Sequence, residues 1–125
     1  MSHRYEYRAK LRRVVDGDTV DLTVDCGFYM TMALRFRLLG VDTPELRDSD
    51  EELREAAKRA KLAVEKMLDL AGDWPLRVET HKADSFGRWL GRVFYPLPTE
   101  TGRADKWADV SETLIAVGLG KSYAK

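Results

Sequence analysis

Thr19-Val20-Asp21-Leu22-Thr23-Val24-Asp25 and, after a short break, Met30-Thr31-Met32-Ala33-Leu34-Arg35-Phe36-Arg37-Leu38 each alternate apolar and polar positions. Side chains of a strand point to opposite faces in turn, so this period of two predicts two half-buried strands. Upstream, Tyr5, Tyr7, Ala9 and Leu11 oppose Arg4, Glu6, Arg8, Lys10 and Arg12 in the same way. The register breaks at Arg13-Val14-Val15, which predicts a bulge. Asp16-Gly17 and Asp25-Cys26-Gly27 read as the turns joining the three strands.

The pattern then changes. Leu53, Ala56, Ala57, Ala60, Ala63, Val64, Met67 and Leu68 recur at three and four residues, predicting a helix over 49–71 with one apolar face. Ser49 followed by Glu52 reads as its capping box, and Gly72 as its stop. Leu62 falls on the opposite face without explanation. Strand patterns return at 75–80 and 89–95, followed by a loop over 96–106. A short helix over 110–117 is capped by Asp109, with Glu112 reaching back, and stopped by Gly118. Three strands, a helix, two strands and a helix predict a mainly β, α+β fold. It is a five-stranded barrel of the oligonucleotide/oligosaccharide-binding (OB) type, with one long helix between strands three and four and a short C-terminal helix. At 125 residues it is expected to be a single domain spanning 1–125.

Composition narrows the chemistry. One cysteine, Cys26, allows no internal disulfide, and the two histidines, His3 and His81, are too far apart to suggest a histidine-bound zinc. No apolar run is long enough to span a membrane, and the N-terminus has no signal-peptide core, so a cytoplasmic protein is expected unless a leader has been removed. The formal net charge is zero, which speaks against bulk electrostatic capture of nucleic acid. Basic residues nevertheless crowd the first strand, while residues 42–55 are acidic.

Three short segments stand out: Asp16-Gly17-Asp18-Thr19, Arg37-Leu38-Leu39-Gly40-Val41-Asp42-Thr43-Pro44-Glu45 and Asp84-Ser85-Phe86-Gly87-Arg88. Each has a plain structural reading: a hairpin turn, an Asx-type turn and a loop arginine. Together they offer what phosphodiester hydrolysis requires. Asp18 and Asp42, with the Thr43 carbonyl, can form an oxygen site for Ca²⁺ or Mg²⁺. Glu45 stands close enough to activate water, and Arg37 and Arg88 can fork onto a phosphate. Arg35 is the neighbour expected to be structural.

With these segments in this order, the chain resembles the staphylococcal nuclease (thermonuclease-like) family. A weaker match follows at Val110-Ser111-Glu112-Thr113-Leu114 and Gly118-Leu119, and the resemblance runs from about Leu11 to Tyr123. It implies an OB-type barrel and Ca²⁺-dependent cleavage of DNA and RNA leaving 3′-phosphates. It assigns Asp18, Asp42 and Thr43 to the metal, Arg37 and Arg88 to the phosphate, and Glu45 to the general base. Phe86 and Tyr123 are the expected base-contacting aromatics. Ser85 replaces a lysine and Phe86 a tyrosine of the family prototype; the loop over 96–109 is longer, and the prototype's final helix is absent. The expected substrate is single-stranded DNA or RNA, and the expected state a monomer without membrane contact. The alternatives are a non-catalytic nucleic-acid-binding module on the same barrel, and an interaction protein using the loop at Trp107.

Overall fold

A computed structural model describes residues 5–83, 87–98 and 105–122. The elements run β1 (Tyr5–Asp16), β2 (Thr19–Gly27), β3 (Met30–Leu38), β4 (Val41–Asp42), α1 (Glu51–Leu68), β5 (Leu76–Ala83), β6 (Trp89–Pro96), β7 (Trp107–Asp109), α2 (Val110–Ala116) and β8 (Lys121–Ser122). β3, β2, β1, β5 and β6 pair antiparallel in that order, and a parallel β3–β6 pairing closes them into a five-stranded barrel. This is the mainly β, OB-like architecture with two helices that the strand order predicts. β6 has a divided edge: residues 89–91 pair with β3, and residues 94–96 pair with β7.

The bulge expected near Arg13 is present and doubled, with register shifts between Leu11 and Arg13 and between Val14 and Asp16. Each extra residue bends β1, which lets one strand pair with β5 from Tyr5 to Ala9 and with β2 from Ala9 to Asp16. The barrel interior is filled by Ala9, Val20, Leu22, Val24, Phe36, Leu38, Leu76, Val78 and Val93. α1 covers it with Ala57, Ala60, Val64 and Leu68, and α2 with Val110 and Leu114. Removing these apolar side chains from water is the main term holding the helices to the barrel.

The structure corrects several sequence expectations. The β2–β3 turn does not lie at Asp25–Gly27. Both strands continue to Gly27 and Met30, and the turn is formed by Phe28 and Tyr29, each at positive φ. Met30 and Met32, expected on the buried face of β3, are exposed because this hairpin projects beyond the core. α1 begins at Glu51, not Ser49. Asp50 is its cap, accepting from the backbone N–H of Glu52 at 2.8 Å and of Leu53 at 3.4 Å. A carboxylate there satisfies two orphan donors and faces the positive end of the helix dipole, which Ser49 cannot match. α1 ends at Leu68, and Gly72 lies beyond it. Leu53 and Leu62 are both exposed. Asp109 does cap α2, through the Ser111 N–H at 2.8 Å, but Glu112 makes no reciprocal bond and is exposed. β4, β7 and β8 are short strands that the sequence reading left as turn and loop.

Candidate active site

Strand register brings the distant acidic and basic residues together. Thr19 at the start of β2 pairs with Arg37 near the end of β3. The Leu38 N–H donates to the Asp18 carbonyl at 2.8 Å, so Asp18 is held beside Arg37. Arg37 then shapes the chain that follows it. Its Nη1 donates to the carbonyls of Leu38 and Val41, both at 2.7 Å, tying the β3–β4 turn closed. Its Nη2 lies 3.7 Å from Asp18 Oδ2 and 3.4 Å from Asp42 Oδ1. The Thr43 N–H donates to Asp18 Oδ2 at 3.2 Å. Asp18, Arg37, Asp42 and Thr43 thus meet at one end of the barrel.

Arg88 arrives from the other side of the parallel seam. Phe36 pairs with Trp89 and Arg37 with Leu90, which places Arg88 directly before the seam. Its Nη1 makes a long contact of 3.5 Å to Thr19 Oγ, which itself donates to Asp18 Oδ1 at 3.2 Å. Glu45 is exposed and opens a turn, its carbonyl accepting from Asp48 N–H at 3.2 Å. Glu45, Arg35, Gly87 and Arg88 line one open cleft. Arg35 is committed to Asp21, in a fork of 2.7 and 3.1 Å, in line with its expected structural part. Phe86 and Tyr123, and the substituted Ser85, lie outside the described residues.

Three residues near the site were given no chemical part by the sequence reading. Thr19, almost fully buried, links Arg88 to Asp18. Asp16, assigned to a turn, is partly buried, and burial with the charges of Asp18 and Glu45 pushes its carboxyl above the usual range against a hydrogen bond from the Leu46 backbone. Gly17 is the point of closest approach: a Cβ there would lie 2.8 Å from Ala60 Cβ and 2.9 Å from Thr43 Oγ1. The signal was their contiguity with Asp18 in one four-residue segment.

The donor chemistry suits a hard divalent cation. Asp18 and Asp42 carboxylates converge on the same guanidinium nitrogen, and the Thr43 hydroxyl is buried without a hydrogen-bond partner. Among the described residues no cluster of three or more His, Cys, Asp or Glu side chains is present. The donors that Asp18, Asp42 and Thr43 offer are all oxygens, the chemistry Ca²⁺ and Mg²⁺ prefer, and an ion there would need further ligands from backbone oxygen and water. A recess of about 280 Å³ adjoins Asp42 and Thr43, between Pro44, α1 and the Gly118–Lys121 segment.

The chain is 25% identical over 118 residues to a micrococcal nuclease of Shigella flexneri, covering 94% of this chain and 59% of that protein. It is 29% identical over 123 residues to endonuclease YhcR of Bacillus subtilis (strain 168), covering 94% of this chain and 9% of that much longer protein. It is 28% identical over 118 residues to protein ParB of Escherichia coli, of which it covers 58%. The chain thus spans under two thirds of each of these relatives. The family model described as staphylococcal nuclease homologue matches residues 35–125, from the end of β3 through both helices to β8, and the chain belongs to that family.

Proposed function

We propose that this chain is a divalent-cation-dependent nuclease that hydrolyses phosphodiester bonds of DNA or RNA, acting on single strands as a monomer. The observation that carries the proposal is the convergence of Asp18, Arg37 and Asp42 at the barrel end where Glu45 and Arg88 line an open cleft. Two of the relatives bear nuclease names, in agreement with it.

Asp18, Asp42 and the Thr43 carbonyl would hold Ca²⁺ or Mg²⁺, which supplies positive charge beside a phosphate oxygen. The remaining work falls to the chain's own side chains. Arg37 and Arg88 bracket the phosphate and stabilise the charge that grows on its equatorial oxygens. Arg37 is fixed in place by two backbone carbonyls before substrate arrives, so little reorganisation is needed. Glu45, exposed to the cleft, takes the proton of a water that attacks phosphorus in line. The P–O5′ bond breaks, the 5′-oxygen leaves and is protonated from solvent, and the 3′-phosphate remains on the other fragment. General-base assistance of this kind is worth about 10² to 10⁴ in rate.

The test is cleavage of single-stranded DNA and of RNA by the purified chain with Ca²⁺, with Mg²⁺ and with chelator, alongside Glu45→Ala. Cation-dependent cleavage that falls at least a hundredfold in the variant is expected. Full activity in the variant removes Glu45 from the mechanism, and absence of cleavage under every cation refutes the proposal.

A further inference from the structure

The outer face of the β1–β5–β6 sheet, at the barrel end away from Asp18, gathers cations and indoles. Arg8 and Arg77 stand directly opposite each other in the β1–β5 pairing, and Arg77 pairs in turn with Phe94. Like charges in that relation destabilise a sheet. Asp25 takes up Arg8 at 2.6 Å. Lys10 and Arg77 are held differently. Lys10 Nζ lies 5.2 Å from the Trp74 ring and Arg77 Cζ lies 4.6 Å from the Trp107 ring. Neither makes an ion pair with a carboxylate among the described residues, although Asp73 and Asp105 are close by in sequence. An indole fixes the position of a cation by its quadrupole without neutralising it, as a carboxylate would. The result is two exposed, positioned charges that pair with no carboxylate among the described residues, beside half-buried aromatic rings, with Glu6 and Glu79 two positions from the Arg8–Arg77 pair on the same face of the β1–β5 pairing. That is the composition of a surface that tracks a nucleic-acid backbone.

We propose that this face is a second contact surface for single-stranded nucleic acid, with Lys10 and Arg77 taking phosphates of a strand whose scissile bond lies at Arg37 and Arg88. The identity of the ligand rests on the nuclease reading. The geometry sets a length requirement. β6 runs eight residues from Trp89, beside the site, to Pro96, which pairs with Trp107. Arg77 pairs with Phe94, five residues from Trp89, and Lys10 with Thr23, four residues from Thr19, so at about 3.3 Å per residue the two surfaces are separated by roughly 13–17 Å. A dinucleotide reaches one of them, and only a strand of several nucleotides reaches both.

The experiment compares the unaltered chain with Lys10→Glu/Arg77→Glu and with the control Lys58→Glu/Lys66→Glu, which makes the same change of charge on exposed positions of α1. One arm measures anisotropy of a labelled single strand long enough to span the barrel, in chelator, across a salt series. The other measures kcat and KM with Ca²⁺ for that strand and for a dinucleotide. Reversal at 10 and 77 is expected to raise Kd and KM for the long strand about tenfold, and to lower the salt slope by about 1.4, the value for two single-strand phosphate contacts. Dinucleotide cleavage and kcat stay unchanged, as does everything in the control. Equal Kd, KM and slope in the 10/77 variant and the unaltered chain overturn the proposal, and so does an equal loss in the control. Should charge reversal unfold the chain, Lys10→Gln/Arg77→Gln keeps the stems over the indoles, and an unchanged slope there overturns it too. Metal-free binding that the 10/77 change weakens, in a chain that never cleaves, would support this surface while refuting the nuclease reading. Absence of binding in the unaltered chain refutes the surface alone.

Discussion

Replacing Gly17 by alanine tests whether the turn that carries Asp18 is seated directly on α1. The added methyl would meet Ala60 Cβ at 2.8 Å, Thr43 Oγ1 at 2.9 Å and Thr43 Cγ2 at 3.1 Å. Ordinary contact begins near 3.4 Å, so either the turn or the helix must give by roughly half an ångström or more. The helix is anchored by Ala57, Ala60, Val64 and Leu68, all fully buried, and Thr43 is tied to Asp18 by its backbone N–H. Overpacking of this kind costs about 1–3 kcal/mol, a factor of roughly 5 to 150 in the unfolding equilibrium. Urea titration of Gly17→Ala should show that loss at an unchanged m-value, and activity should need more Ca²⁺ because the Thr43 backbone moves. Ala60→Gly alone should cost about 1 kcal/mol as a helix glycine. The double variant should be less destabilised than the two losses together, by about 1 kcal/mol of coupling. A Gly17→Ala protein within about 0.5 kcal/mol of the original, or strictly additive losses in the double variant, would show that the turn is not packed as described.

Other outcomes follow from the same geometry. Arg37→Lys removes a fork that binds two carbonyls with one nitrogen and faces two carboxylates with the other. A loss of about 1–3 kcal/mol in denaturation and at least a hundredfold in initial rate is expected, and a near-normal protein would contradict the double duty assigned to it. Asp16→Asn probes pH dependence. Because its folded pKa is raised, the native state holds that proton more tightly, so its contribution is favourable below the unfolded value near 3.8 and becomes a penalty as pH rises through the folded pKa. The asparagine variant should therefore gain on the original protein between acid and neutral pH; melting curves that keep a constant offset would refute the assignment. Arg92→Ala strips the 2.8 Å partner from Asp109, a buried carboxylate that also caps α2. Thermal melts should register a loss of about 1–3 kcal/mol.

The alternation of β1, β2 and β3 was legible because each strand has one face toward a core and the other toward water. The same logic misplaced Met30 and Met32, since a period of two shows which face they share and not how far the core extends. Turn chemistry misplaced the hairpin tip. Gly27 is the residue one expects at positive φ, yet Phe28 and Tyr29 adopt it as well, and aromatic residues give no sign of it in sequence. β4 and β8 escaped because a two-residue pairing has no period to detect. For the site, carboxylates and arginines could be named from their segments. The tie between Arg37 and the Leu38 and Val41 carbonyls could not, because it depends on a turn that folds back over its own strand. Asp16 and Thr19 went unassigned for the same reason: burial decides what they do, and burial is a property of the closed barrel.

The parallel β3–β6 pairing has a kinetic implication. Asp18, Arg37 and Asp42 belong to a local stretch that the β2–β3 hairpin can assemble early, since neighbouring strands close short loops. Arg88 joins them only when β6 docks against β3, after the whole span between them, α1 and β5 included, has been ordered. Recovery of the proposed nuclease activity during refolding should consequently lag the appearance of hairpin structure and coincide with the last closure of the sheet. On the proposed function, a chain built this way withholds its chemistry from every partly folded form of itself.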